Sequence, residues 1–170
     1  MPDIRLDHFR RAAADVGAHG DNDMLPFDID TSFVNENQEA LSRLAFAYCQ
    51  ELSRLDKKAV KNSVDSLPIF SERLLVPAGP AGFRVATKIH PFWNIYFNGI
   101  GIAIAEALEP TRAERVHSYR FMPQGADLFD RAKSWRKFRE ATIADCLSQG
   151  DGAIVVQTDM IVSRWVVYES

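Results

Sequence analysis

Asp159 stands at the end of an apolar run, where Ala153, Ile154, Val155 and Val156 lead through Gln157 and Thr158 to a carboxylate. A run of this kind predicts a strand, and an aspartate at its far end has the oxygen chemistry that a hard divalent cation takes, although one carboxylate alone does not specify a metal site. A second group able to do chemistry lies upstream. Arg84, Ala86 and Lys88 are two residues apart in a segment that alternates as a strand, so they share a face and two cations stand side by side. The glycine-bearing turn at residues 78–82 runs beside them. That pattern suits a triphosphate or a nucleic-acid strand, and it also suits an edge hairpin that shows Arg and Lys to water.

The charge is divided along the chain. The whole carries a formal −3, and residues 1–30 hold seven acids against three arginines, a balance of −4. Residues 111–139 hold eight bases (Arg112, Arg115, Arg120, Arg131, Lys133, Arg136, Lys137 and Arg139) against three acids, a balance of +5. A local basic face is enough for polyanion contact, because counterions are released where the charges lie. The alternative reading of the same residues is a solvated helix face.

The elements that must position these groups form a mainly helical chain with a short β-hairpin, an α+β class. Residues 4–16 carry Ile4, Phe9, Ala12, Ala13 and Val16 at helical spacing, with Gly17 and Gly20 as the stop. Residues 20–28 read as a loop, in which Asp21-Asn22-Asp23 are turn formers lacking the rest of a calcium loop. Asn35 with Gln38 three residues on predicts a helix start, and Leu41, Leu44, Ala45, Tyr48, Leu52 and Leu55 form its apolar stripe. Residues 57–68 read as irregular or briefly helical. Strands at 73–77 and 83–88 enclose the turn. Pro91 then opens a strongly apolar helix that ends at Glu109-Pro110, and residues 115–121 read as a strand. The last helix spans about residues 126–147, with Leu128, Trp135, Phe138, Ile143 and Cys146 buried, the bases on its other faces and Gly150 as its cap.

Composition narrows the classes further. At 170 residues and 46% hydrophobic the chain can bury one core. Cys49 and Cys146 have no metal spacing and read as packed thiols. His8, His19, His90 and His117 likewise show no ligand pattern and read as surface or structural residues. There is neither a Gly-Lys-Ser/Thr phosphate loop nor a Gly-x-Ser-x-Gly elbow. The first residues lack a basic-then-apolar leader pattern, and no uncharged apolar run reaches the roughly 18 residues of a membrane span. A cytoplasmic protein with no membrane partner is the expectation.

Leu75-Val76-Pro77, Gly82-Phe83-Arg84-Val85-Ala86, the apolar helix ending in Glu109 with Arg112 after it, Val116 to Phe121, Trp135, and Val155-Val156-Gln157-Thr158-Asp159 occur in an order that resembles bacterial reverse transcriptases. The likeness covers residues 70–159 and is nearest to the defence-associated, unassigned and abortive-infection groups. It implies a partial right-hand polymerase: a variable N-terminal helical extension over residues 1–70, fingers over 71–152, and the first palm strand over 153–170. It implies that Arg84 orients the incoming nucleotide's phosphates with Lys88 and Arg120 nearby, and that Arg112, Arg115, Arg131, Lys133, Arg136 and Lys137 meet nucleic acid. Asp159 then matches the first palm aspartate, the catalytic carboxylate that binds two magnesium ions. Such a pair stabilises the attacking and leaving oxygens of an in-line displacement. The implied partners are an RNA template, a DNA primer and a deoxynucleoside triphosphate.

The chain departs from that family's pattern after Asp159. The family has a bulky residue four or five positions on, where this sequence has Ser163 and Arg164, and residues 160–168 are rich in strand formers. No Tyr-x-Asp-Asp or Phe-x-Asp-Asp tetrapeptide occurs. The expectation is a truncated or frame-disrupted front part, inactive as a polymerase by itself, whose missing half is supplied elsewhere or lost. The alternative is a non-catalytic α+β module that binds nucleic acid or protein through residues 111–139.

Overall fold

The computed structural model describes residues 2–19, 29–66, 71–77, 82–114, 116–117, 120–125 and 127–149, with the backbone alone at residues 77, 84, 131 and 132. Within them the fold is mixed α+β and mostly helical, with six α-helices and two two-stranded antiparallel sheets. The 20–28 loop, the 78–81 turn, Gly150 and the whole 153–170 segment lie outside the described residues.

Helix α1, Leu6–His19, is the centre of the molecule and packs on both α3 and α5. Its Phe9, Ala12, Ala13 and Val16 fall at i, i+3, i+4 and i+7 and are all buried. It runs past the predicted stop at Gly17, and the reason is a close approach. Asn35 donates its side-chain amide to the Gly17 carbonyl at 2.7 Å, and a Cβ at Gly17 would lie 2.3 Å from Asn35 Oδ1. Asn35 is thus not the helix cap that its sequence context predicts. It sits inside a short helix α2, Ile29–Glu36, which no apolar periodicity announced.

Helix α3, Gln38–Ser53, follows after Asn37. Its inward face is Ser42, Ala45, Cys49 and Leu52, while Leu44 and Leu55 of the expected stripe point outward. Small side chains at Ser42 and Ala45 let α3 approach α1, where the Ser42 hydroxyl lies 3.2 Å from the Phe9 carbonyl. Helix α4, Lys57–Ser66, buries no residue.

Strands β1, Ser71–Pro77, and β2, Phe83–Ile89, pair antiparallel from Ser71 opposite Ile89 to Pro77 opposite Phe83. The chain then turns into α5, Pro91–Leu108. Proline at its first turn has no N–H to leave unpaired, and His90 caps the helix by accepting from the Phe92 N–H at 3.2 Å. Trp93, Ile95, Tyr96, Gly99, Ile102 and Ala103 are buried. Tyr96 lies within an aromatic cluster with Phe9, Tyr48, Phe92, Trp93 and Phe97. This apolar setting, above all its desolvation, pushes the Tyr96 phenol up to about 12 and raises the Cys49 thiol, which is packed in the core as expected. The core therefore crosses the 70/71 boundary of the family likeness: α1 and α3 share one interior with α5.

A 3-10 turn at Glu109–Thr111 ends α5. Of the strand predicted over 115–121, residues 116 and 117 are irregular and Arg120–Phe121 alone among the described residues form a strand, β3, paired with β4, Phe129–Asp130. Helix α6, Arg131–Ser148, begins later than its apolar pattern predicts, because residues 127–130 return alongside β3 and Asp130 caps the helix by accepting from the Lys133 N–H at 3.0 Å.

Candidate nucleic-acid interface

The register of the first hairpin settles which way its side chains face. Glu72, Leu74 and Val76 lie opposite Lys88, Ala86 and Arg84, and the described side chains of Leu74, Val76, Ala86 and Lys88 are partly buried. The opposite face carries Leu75 and Phe83, each 73% exposed, with Val85 between them in space. On the first of these faces Lys88 meets helix α2. Lys88 is 16% exposed and its Nζ lies 2.6 Å from an Asp30 carboxylate oxygen on α2. A phosphate reaching Lys88 must compete with that carboxylate. Arg84 shares the face by register, and its side chain is outside the described residues.

A second cluster forms where α5 ends. Glu109 accepts from Arg112 Nη1 at 3.2 Å, from Arg120 Nη1 at 3.1 Å and from the Phe121 backbone N–H at 3.3 Å. Burial pushes this carboxyl up, yet the Phe121 N–H and the two guanidinium groups outweigh it and hold Glu109 below the usual range. Two of the arginines that the charge pattern offers to phosphate are thus tied to the 109–121 corner. Arg11 on α1 fixes the same corner from the other side. Its guanidinium donates to the Met122 and Pro123 carbonyls at 2.6 and 3.1 Å and lies 5.1 Å from the Phe121 ring centroid.

Helix α6 gathers several exposed cations that lack an ion pair, a state shared by Lys57 and Lys58 on α4 and by Arg73 on β1. Lys133, Arg136, Lys137 and Arg139 are exposed. None of them makes an ion pair among the described residues, whereas Arg5, Arg10, Arg43, Arg54, Lys61, Lys88, Arg112 and Arg120 all do. The apolar residues of the helix depart from the expected burial. Trp135 is 59%, Phe138 43% and Ile143 55% exposed. Leu128 is buried as predicted, but from the turn before the helix. What seats α6 is Ser134, 4% exposed, whose hydroxyl accepts the Arg120 N–H at 3.2 Å.

The sequence pattern missed Asp30 and Glu109 as counter-charges. Asp30 has no sequence signal, since it is 58 residues from Lys88. Glu109 and Arg112, by contrast, stand at i, i+3 and were readable as a pair. Asp159, Arg115 and the side chain of Arg131 lie outside the described residues. Among the described residues no group of three or more His, Cys, Asp or Glu side chains converges on a point. No described helix is long and apolar enough to cross a membrane. Comparison of the chain with models of protein families, with curated proteins and with solved structures finds no match.

Proposed function

We propose that this chain is the N-terminal part of an RNA-directed DNA polymerase, comprising the fingers and the first palm strand, and that its own activity is nucleic-acid binding. One observation carries the reading: the in-register hairpin β1–β2 leads through the His90-capped helix α5 to the Arg120–Phe121 strand and the basic helix α6. These elements carry, in the same order, the sequence blocks on which the family resemblance rests. Arg84 takes the role of orienting nucleotide phosphates, and Asp159 that of the first of several carboxylates on magnesium, which supplies charge neutralisation in nucleotidyl transfer. Lys88 and Arg120 hold the scaffold through Asp30 and Glu109. One carboxylate does not bridge two cations, so polymerisation is not expected of these 170 residues alone.

Translating the encoding DNA beyond codon 170 in all three frames tests this reading. A frame with an aromatic-x-Asp-Asp strand supports it, and the absence of one in every frame overturns it. The unpaired cations of α6 also favour a stand-alone binding module. That second reading expects salt-dependent binding with no magnesium requirement and no effect of Asp159→Ala.

A further inference from the structure

The exposed aromatic residues of α6 lie among its unpaired cations. Trp135, Arg136, Arg139, Glu140 and Ile143 line one open concavity of about 450 Å³. The Phe138 ring is 5.6 Å from that of Trp135 with a 30° tilt. Lys133 and Lys137 continue the positive charge along the helix, which holds five bases against Glu140 and Asp145. An apolar partner would bury this face at the cost of desolvating Arg136 and Arg139 without counter-charges. A duplex presents its phosphates and hides its base faces. A single strand supplies both kinds of contact together, phosphates for Arg136 and Arg139 and bare base faces for Trp135 and Phe138.

We infer that the α6 face formed by Trp135, Phe138, Arg136 and Arg139 is a stacking platform for single-stranded nucleic acid. The inference rests on the nucleic-acid-binding reading above and specifies its ligand. Base stacking makes the platform tolerant of sequence, and the one carboxylate in the concavity, Glu140, opposes phosphate at the end toward Ile143.

The test is fluorescence anisotropy of the full chain with a labelled twelve-residue oligothymidylate and with a duplex of the same length, over a range of salt. Binding of the single strand at least tenfold tighter than the duplex is expected. Trp135→Ala lowers single-strand affinity by about tenfold and leaves the salt slope unchanged, while Trp135→Phe restores most of it. Arg136→Ala with Arg139→Ala lowers the single-strand salt slope by about 1.4. Because Trp135 is 59% exposed, its replacement leaves the fold intact, which far-ultraviolet circular dichroism checks. Equal affinity for single strand and duplex, or Trp135→Ala without effect, overturns the platform and leaves nucleic-acid binding standing. Absence of binding to either nucleic acid at low salt overturns both. A dimer that Trp135→Ala dissociates, with oligonucleotide affinity unchanged, identifies a second copy as the occupant and also overturns the platform.

Discussion

Gly99 shows how a single residue sets the central packing. A Cβ there would lie 2.5 Å from Phe9 Cδ1, and the Phe9 ring is fully buried between α3 and α5. Gly99→Ala should therefore push α1 from α5 and lower stability by about 1–3 kcal/mol, measured by chemical denaturation. An unchanged midpoint would mean that the Phe9 ring has another rotamer available. At this scale the sequence was partly legible. Phe9, Ala12, Ala13 and Val16 were readable as a core face from their spacing alone. The glycines were not, since Gly17 and Gly99 answer to Asn35 and Phe9, both remote in sequence.

Among the elements, the hairpin, α5 and the existence of α6 were legible, because alternation, a Pro-led apolar run and the recurring apolar residues of the 126–147 segment are local signals. The orientation of α6 was not. Its apolar residues are spread around the helix, so no single stripe marks an inward face, and contacts with β3 decide the matter through Ser134. Glu109 holds that junction together. Glu109→Ala leaves the Phe121 N–H without its carboxylate acceptor and removes the ion-pair partner of Arg120. The expected result is a loss of about 1–3 kcal/mol in stability together with a steeper salt dependence of nucleic-acid binding, as Arg120 becomes available to phosphate. Lower stability with an unchanged salt slope would assign Arg120 to the scaffold alone.

Across the whole molecule, carboxylates bind α1 to its neighbours on both sides. Arg10 on α1 donates to both oxygens of Glu39 on α3, each at 2.9 Å. Arg5 donates to Glu106 on α5 at 2.7 and 2.9 Å. His8 is buried, and its Nδ1 accepts the Arg5 backbone N–H, so the ring proton sits on Nε2 and points at Glu106, 2.8 Å away. Hydrogen bonds from Arg10, then Arg43, hold Glu39 down to about 2, and those from Arg5 and His8 lower Glu106. A carboxyl held below its ordinary 4.5 releases protons on folding, so its contribution is complete above that value and fades as pH falls through the folded-state value. Stability should accordingly hold level with respect to these groups above about pH 4.5 and decline from there toward pH 2. Glu39→Gln should make that decline shallower, because the Gln side chain does not titrate. Added salt should weaken the contribution of these exposed pairs at neutral pH. Thermal midpoints across that acid range, compared between the two proteins, would decide it: parallel curves would mean that Glu39 is as free in the folded chain as in the unfolded one, and that apolar packing alone holds α1 against α3.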